Sequence, residues 1–244
     1  MTTTPLPASV TLEPVGFIRS CYQEKFGIPR QPGLATSARA ELHLHGPCNC
    51  PEAVVGLDKF SHIWIQFVFH QTQSEGWRPT VRPPRLGGEK RLGVFATRST
   101  HRPNPLGLSL VKLEGIQHRK GQVILELSGI DLLDGTPVVD IKPYLPWADS
   151  QPEATAGFAP DVPVTVPVLW TEDARQISES ISAKIGQPFQ QLVEEVLGQD
   201  PRPAYLKKRD REDFGVLLWD YNVRWKVRPE GFEVFAIEPA QAGK

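Results

Sequence analysis

The sequence predicts a mainly β protein, with a strand-rich domain over residues 1–150 and a small α+β domain over residues 151–244. Its 244 residues include 24 Pro and 20 Gly, which favour short strands and turns over long helices. Residues 12–150 alternate between short apolar runs and turn residues, a pattern typical of a barrel or a sandwich. Residues 148–168 are rich in Pro and Ala and lack a period, so we expect a linker there.

The first strands are predicted from alternating apolar and polar side chains. Leu42 and Leu44 alternate with charged and imidazole side chains, which indicates one buried face. In the next strand, over residues 60–70, one face carries four apolar side chains: Ile63, Ile65, Phe67 and Phe69. Because Trp64 and Val68 on the opposite face are apolar too, we expect this strand to be buried on both sides.

Three more strands follow in the first domain. Residues 106–116 and 122–128 are predicted to form a hairpin joined by the loop 117–121. A short strand over 138–141 follows the turn at 134–137, whose Asp-Gly and Thr-Pro pairs are common turn formers. No helix of normal length is expected before residue 150.

The second domain is predicted from a change of period. Thr171 can cap a helix, and Glu172 and Asp173 suit the positive end of the helix dipole. Apolar residues then recur near helical spacing on both sides of a break at 186–188: Ile177, Ile181, Ile185, Phe189, Leu192, Val193 and Val196. Strict alternation over 217–227 predicts one half-buried strand with a polar face, and a turn at 228–231 leads into a last strand over 232–237.

Composition excludes several classes of protein. The net charge is −1, so any attraction for a polyanion depends on local charge. No apolar run approaches the roughly 18–20 residues of a membrane span, the N-terminus lacks a signal-peptide pattern, and three Cys do not make a disulfide framework. The fingerprints of dinucleotide enzymes, P-loop NTPases and common hydrolases are absent from the sequence. We therefore expect a cytoplasmic protein that does not contact a membrane.

A cationic segment between residues 78 and 102 is the first candidate for a binding role. It contains seven cations against the single anion Glu89, a local charge of 7 − 1 = +6. The cations are Arg78, Arg82, Arg85, Lys90, Arg91, Arg98 and Arg102. The planar guanidinium of arginine suits phosphate and carboxylate groups, so the segment indicates either an anion-binding loop or a solvated loop that balances charge elsewhere.

A group of carboxylates near residue 135 is the second candidate. Asp131, Asp134 and Asp140 fall within ten residues and are followed by Lys142 and Tyr144. Paired carboxylates can transfer protons, hold ribose hydroxyls or bind cations. Ordinary turn chemistry is the alternative, since Asp and Gly are common in turns.

Two weaker patterns lie near residue 45 and in the C-terminal tail. His43, His45, Cys48 and Cys50 carry zinc-binding groups, but their spacing is poor for a structural zinc site, and we expect no metal there. The tail has basic and aromatic residues from Arg202 to Arg209, then a strand face with cations at 224, 226 and 228. This pattern indicates either contact with an RNA backbone or a solubilising face.

Several long motifs, in the same order, resemble the TsaA-like domain of the TrmO family, whose members are S-adenosylmethionine-dependent tRNA methyltransferases. The motifs read KFGIPRQPG from residue 25, FSHIW from 60, FHQ from 69, WRPTVRPPR from 77, GVFATRS from 93, RPNPLG from 102, DLLDGTP from 131 and DIKPY from 140. They cover about residues 12–150, and DPRPAY from residue 200 and the final hairpin extend the resemblance into the tail.

The resemblance implies a fold, a reaction and partners. It implies a small N-terminal β-barrel, a homodimer, and methyl transfer from S-adenosylmethionine to the N6 nitrogen of N6-threonylcarbamoyladenosine beside the anticodon of tRNA. A barrel is consistent with the absence from the sequence of the glycine-rich motif that marks Rossmann-type folds. The rival hypothesis is a non-catalytic RNA-binding module built on the same barrel and basic tail.

The resemblance also implies site residues, carried over motif by motif. The residues expected to bind the cofactor are Gln31, Pro32, Gly33, His70, Gln71, Arg98, Leu108, Asp131, Leu132, Leu133 and Asp134. Asp140, Lys142 and Tyr144 are the candidates for managing the proton that the target nitrogen loses, with a positioned water as the alternative. The residues expected to bind tRNA are Arg102, Asn104, Arg202, Tyr205, Arg224 and Lys226, with Lys142 as a further contact.

Overall fold

Short strands dominate the computed structural model of the protein, which describes residues 9–203, 206–207 and 213–240. The strands, in chain order, are β1 (Gly16–Ser20), β2 (Arg39–Leu44), β3 (His62–Val68), β4 (Thr80–Val81), β5 (Leu92–Gly93), β6 (Leu106–Arg119), β7 (Gln122–Ser128), β8 (Pro137–Pro143), β9 (Val168–Trp170), β10 (Asp213–Leu218), β11 (Tyr221–Arg228) and β12 (Gly231–Pro239). The helices are α1 (Pro146–Asp149), α2 (Glu172–Ile185) and α3 (Phe189–Gly198). The predicted mainly β class is therefore confirmed.

Six strands close into the predicted barrel, in the order β1-β2-β7-β6-β3-β8 and back to β1. Alternation places one face of each strand inside, as Ile63 and Ile65 of β3 show with no exposed surface. The expectation that β3 is buried on both sides is wrong, because Trp64 and Val68 are only half-buried. A closed barrel has a single interior, so the other face of each strand points outward.

The hairpin of β6 and β7 is confirmed, but its loop is shorter than predicted. β6 runs to Arg119, and only Lys120 and Gly121 form the turn. Both turn residues have positive φ, +51° and +79°, as expected for a tight turn that matches the strand twist. Residues 117–119 therefore extend the strand instead of forming a loop.

The cationic segment lies outside the barrel, between the end of β3 and the start of β6. Its only regular elements are the two-residue strands β4 and β5, which pair with each other, and short 3-10 turns. Glu75 precedes the segment and accepts a hydrogen bond from His101 at 3.0 Å, and it lies 3.8 Å from Lys25. The hydrogen bond with His101, assisted by nearby cations, lowers the pKa of Glu75 below its usual value.

The C-terminal unit is the predicted small α+β structure. Its sheet has the order β10-β11-β12-β9, with β9 parallel to β12 and the other pairs antiparallel. The predicted cap is present, since the Thr171 hydroxyl accepts a hydrogen bond from the Ala174 amide at 3.4 Å. Helices α2 and α3 pack together and bury Ile181, Leu192 and Val193, whereas Ile177 of the predicted apolar pattern is 41% exposed.

The single strand predicted over 217–227 is wrong, because a two-residue turn at Trp219 and Asp220 divides it into β10 and β11. Trp219 has φ +51°, and its amide donates to the Cys21 carbonyl at 2.8 Å. Two turn residues shift the side-chain alternation by one position, so Leu218 is buried and Leu217 is not. The polar face predicted for β11 is present.

The barrel and the C-terminal unit share one continuous apolar core. Tyr22 forms an isolated antiparallel bridge with Leu218, and the Leu217 amide donates to Glu24 Oε1 at 2.9 Å. Residues 150–167 form neither helix nor strand, whereas residues 148–149 of the predicted linker belong to α1 and residue 168 begins β9. The domain boundary at residue 150 stays a prediction. Within the described part of the chain, no helix has the length and apolar character needed to cross a membrane.

Candidate functional site

Asp131 lies in the connection between β7 and β8, and its carboxylate accepts a 2.6 Å hydrogen bond from the Ser109 hydroxyl. Ser109 points into the barrel from β6 and is almost fully buried. Asp131 keeps some solvent access, but its close surroundings desolvate it and raise its pKa to about 6. The Ser109 bond and the charge of Arg98 oppose that rise. The carboxyl group therefore changes its charge within about a unit of neutral pH.

Arg98 reaches the loop that contains Gln31. Its guanidinium donates a hydrogen bond to the Gln31 side-chain oxygen, and its charge acts on Asp131. Arg98 and Gln31, two residues that are distant in sequence and predicted to bind the cofactor, are thus in direct contact. Their contact with a cofactor stays a prediction.

The Gln31 loop lies directly against the segment that leads to Asp131. The Gly33 amide donates to the Gly129 carbonyl at 2.8 Å, and the Gly129 amide donates to the Ala38 carbonyl at 3.0 Å. Both glycines have positive φ, +77° and +68°, which other residues rarely adopt. Pro32, which lies between Gln31 and Gly33 in the chain, is half-buried. These φ angles account for glycine at both positions.

The side chains of residues 131–134 lie in different surroundings. Leu132 and Leu133 are buried in the barrel core. Asp134 turns to β1, where it accepts hydrogen bonds from the Ser20 amide at 2.9 Å and from Arg19 at 3.3 Å. The carboxylates predicted to form one polar cluster therefore have different partners.

His70, Gln71 and Leu108 lie where β3 ends and β6 begins. Val68 pairs with Leu106 there, and His70 and Gln71 follow directly after β3. Leu108 points outward from the barrel, opposite to Ser109, and 54% of its surface is exposed. Leu108 and Asp131 thus lie on opposite faces of β6.

The three candidates for proton transfer lie on the outer face of β8. Lys142 Nζ and Asp140 Oδ2 are 2.8 Å apart, and both side chains are largely exposed. Tyr144 packs edge-on against Trp64, with ring centroids 6.0 Å apart. Asp140 is opposite Gln66 of β3, and Gln66 is opposite Leu108 of β6. This arrangement places the three candidates on the same barrel face as Leu108.

Arg102 and Asn104, which are predicted to bind tRNA from the rim loop just before β6, differ in how firmly neighbouring residues hold their side chains. Arg102 donates to the Thr97 carbonyl at 2.8 Å, and its guanidinium lies 5.8 Å from the centroid of the Phe95 ring. It thereby fixes the turn around Val94 while part of its guanidinium stays accessible. Asn104, between two prolines, is exposed.

Arg202 is held in an ion pair. Its guanidinium donates twice to Asp200, at 2.7 and 3.0 Å, and lies 4.8 Å from the centroid of the Phe232 ring. Both side chains of the pair are only 15% exposed. Burial would raise the pKa of the Asp200 carboxyl group, but hydrogen bonds from Arg202 and Lys207 hold that pKa below its usual value. Contact of Arg202 with tRNA stays a prediction that would require this pair to open.

Arg224 and Lys226 form a basic and aromatic surface with Phe235, a residue that sequence reasoning did not select. The Lys226 ammonium lies 4.7 Å and the Arg224 guanidinium 5.6 Å from the centroid of its ring. Arg224 is also paired with Asp213 at 2.7 Å. Tyr205, the other predicted aromatic contact, lies outside the described residues, as do Lys208 and Arg209.

The imidazole and thiol groups near residue 45 do not form a ligand set. His43 Nε2 is 2.8 Å from Glu41 Oε2, and Cys48 and Cys50 are free, half-buried thiols. Across the described ranges there is no group of three or more His, Cys, Asp or Glu side chains that could hold a metal ion.

Comparison with known proteins gives a consistent result. The family model for the tRNA-methyltransferase O N-terminal domain matches residues 17–150, and that for the TrmO C-terminal domain matches residues 163–240. A tRNA (adenine(37)-N6)-methyltransferase of Escherichia coli K12 is 54% identical over 234 residues, which cover 95% of this chain and 99% of that protein. A putative S-adenosylmethionine-dependent methyltransferase of Pseudomonas aeruginosa is 49% identical over 228 residues, covering 93% of this chain and 97% of that protein.

A solved structure is similar over nearly the whole chain. The crystal structure of TrmO from Pseudomonas aeruginosa matches with a TM-score of 0.80 and 44% sequence identity. The match covers 94% of this chain and 98% of that one. The similarity therefore includes both the barrel and the C-terminal unit.

Proposed function

This chain belongs to the tRNA-methyltransferase O family, and we propose that it transfers a methyl group from S-adenosylmethionine to the N6 nitrogen of N6-threonylcarbamoyladenosine beside the anticodon of tRNA. The observation that carries the proposal is the hydrogen bond from Arg98 to Gln31, in a loop that is itself bonded to the segment leading to Asp131. An RNA-binding module alone would not need this arrangement of a guanidinium, an amide and a carboxylate.

The groups at this end of the barrel fit the chemistry of the cofactor. S-adenosylmethionine supplies an electrophilic methyl group on a sulfonium and also carries a carboxylate, an ammonium and ribose hydroxyls. Arg98 suits the carboxylate, and Asp131 suits the hydroxyls or a positive group. The backbone of Gly33 allows close approach because it has no side chain. His70 and Gln71 would complete the site at the end of β3, whereas Leu108 would reach the cofactor only from the outer face of β6.

Positioning carries much of the catalysis in this proposal. The target nitrogen must approach the methyl group in line, and holding both partners in place lowers the entropic part of the barrier. The nitrogen is weakly basic and loses a proton during the reaction. We assign Asp140 as the group that accepts it, with Lys142 and Tyr144 holding Asp140 and the modified base in place. A water positioned by the same residues is the alternative acceptor.

The tRNA would be held by the cationic segment and by the surface formed by Arg224, Lys226 and Phe235. Phosphate contacts supply most of the affinity of such surfaces, and the aromatic ring can stack on a base. The threonyl carboxylate of the modified base calls for an arginine nearby, and we assign Arg102 to that role.

A homodimer is also part of the proposal. Large apolar side chains remain exposed around the outer face of the start of β6, where Phe95 is 77%, Leu108 54% and Leu106 38% exposed. Exposed apolar patches of this kind mark interaction surfaces. The same face carries Asp140, so pairing of two copies would enclose the groups that we assign to proton transfer.

One assay tests the proposed reaction. The protein is incubated with S-adenosylmethionine and tRNA that contains threonylcarbamoyladenosine, and the digested nucleosides are weighed by mass spectrometry. A gain of one methyl group on that nucleoside alone is expected. Binding of S-adenosylmethionine in calorimetry without any methyl gain would contradict the substrate, and no binding at all would favour the RNA-binding module.

A further inference from the structure

The loop over residues 33–38 joins the two segments proposed to hold the cofactor. The Gly33 amide donates to the Gly129 carbonyl and the Gly129 amide donates to the Ala38 carbonyl, so Gly129 is enclosed by the loop. Asp131 lies two residues after Gly129, and Gly33 lies two residues after Gln31. A shift of this loop would therefore displace both segments.

Helix α3 of the C-terminal unit holds the same loop from the other side. The Glu195 carboxylate accepts hydrogen bonds from the Ser37 amide at 2.9 Å, from the Ser37 hydroxyl at 2.5 Å and from the Thr36 hydroxyl at 3.0 Å. Gln199, one turn later, donates to the Leu34 carbonyl at 3.2 Å. Bonds to an ionised acceptor are stronger than those between neutral groups.

Glu195, which anchors the loop 33–38, is itself held in place by the packing of α3. Val193 and Val196, on either side of Glu195 in α3, are fully buried in the core. Gln191 donates to Glu195 Oε1 at 2.9 Å and so orients the carboxylate from within the helix. Ser37 is 4% exposed, so water cannot easily replace the bonds that Glu195 accepts.

We propose that Glu195 is a positioning residue for the methyl donor: it fixes the loop 33–38 so that the Gln31 and Asp131 segments stand ready for the cofactor. The inference rests on the proposed function and deepens it, because it makes the C-terminal unit part of the cofactor site as well as an RNA-contacting element. Glu195 acts through the loop and does not touch the reacting groups.

The test is the affinity of the full chain for S-adenosylmethionine, measured by calorimetry. Glu195→Ala is expected to weaken binding about tenfold, within the usual range of coupling between linked sites. The KM for S-adenosylmethionine should rise by a similar factor, while the KM for tRNA changes by less than about twofold. Glu195→Gln keeps an oxygen acceptor in the same place and should restore most of the affinity.

Glu194→Ala is the matched control. Glu194 is the next residue on α3, and its carboxylate accepts bonds from Trp170 at 3.0 Å and from Gln190 at 2.9 Å, both within the C-terminal unit. Its removal should lower the free energy of unfolding without changing cofactor affinity. Thr36→Ala is a second variant at an exposed loop position, and loss of its single bond should weaken binding about threefold.

The outcomes separate the two proposals. Binding by Glu195→Ala and Thr36→Ala as tight as by the parent chain would overturn the inference and leave the proposed function standing. Equal weakening by Glu194→Ala at equal loss of stability would also overturn it, since general destabilisation would then explain the effect. A parent chain that binds no S-adenosylmethionine would overturn the proposed function and this inference with it.

Discussion

Ser109 donates a 2.6 Å hydrogen bond to Asp131, and this pair links β6 to the connection that follows β7. The bond favours the ionised form of Asp131, whereas burial favours the neutral form and has the larger effect. The pKa of the carboxyl group therefore lies at about 6 in the folded protein, above its ordinary value of 3.8.

The first prediction concerns pH. Between about pH 4 and pH 6 the folded protein holds the Asp131 proton more tightly than the unfolded chain does, so the contribution of Asp131 to the free energy of unfolding falls as pH rises. Each unit of difference in pKa is worth about 1.4 kcal/mol. Urea unfolding from pH 4 to 8 measures this, with Asp131→Asn as the control. If the difference in free energy of unfolding between the parent chain and Asp131→Asn stays constant from pH 4 to 8, the raised pKa is contradicted.

Arg98 is expected to matter for the cofactor and little for folding. Arg98→Ala should weaken binding of S-adenosylmethionine by about 10- to 100-fold, the effect of losing a hydrogen bond to a charged group. Arg91→Ala is the control, since Arg91 lies in the same cationic segment but bonds to Thr80 at 2.9 Å. Calorimetry on both variants checks the prediction, which would be wrong if they bound the cofactor equally well.

Arg202 is expected to act mainly on stability. Arg202→Ala removes both bonds to Asp200 and the contact with Phe232, and should lower the free energy of unfolding by about 2–3 kcal/mol. Lys207 still pairs with Asp200 at 2.8 Å, which limits the loss. Urea unfolding measures the change. A stability like that of the parent chain, together with loss of tRNA binding, would instead support the RNA contact.

Lys226 is expected to act on RNA and little on stability. Lys226→Ala should weaken tRNA binding and reduce by about one the slope of log affinity against log salt, because one phosphate contact is lost. Filter binding from low to moderate salt gives this slope. Lys112→Ala is the control, since Lys112 is an exposed barrel cation paired with Glu114 at 2.9 Å. Equal slopes for the parent and Lys226→Ala would remove this surface from the proposed RNA interface.

Leu106 tests the proposed homodimer. Leu106→Lys places a charge on the exposed apolar face of β6 and should convert a dimer into monomers in analytical ultracentrifugation. Val162→Lys is the control, because Val162 is also exposed but lies in the connection between the two units. A parent chain that sediments as a monomer at micromolar concentration would contradict the dimer.

Alternation along single strands was enough to predict much of the fold. The inward face of β3, the β6–β7 hairpin and the Thr171 cap follow from local residues, because each depends on neighbours in sequence. The β10–β11 hairpin is not evident from the sequence, because its two-residue turn lies inside an apparent run of alternation. Leu217 and Leu218 are both apolar, so the shift of register left no mark in the pattern.

The candidate site was harder to predict, because its contacts depend on register between distant strands. Ser109 occupies an inward position of β6 between Gly107 and Val111, and a lone polar residue there was the available signal. The motif resemblance selected Gln31, Arg98 and Asp131 together, while residue spacing alone could not. Neither approach indicated Glu195, since its partners lie more than 150 residues away.

The separation of 159 residues between Thr36 and Glu195 also sets an order of events during synthesis. Domains emerge and fold from the N-terminal end, so the barrel strands can pair while α3 is still being translated. The loop 33–38 can gain its outer anchor only after residue 195 has left the ribosome. A nascent barrel would therefore lack the Glu195 anchor and, under the proposal above, would bind S-adenosylmethionine about tenfold more weakly until the C-terminal unit has folded onto it.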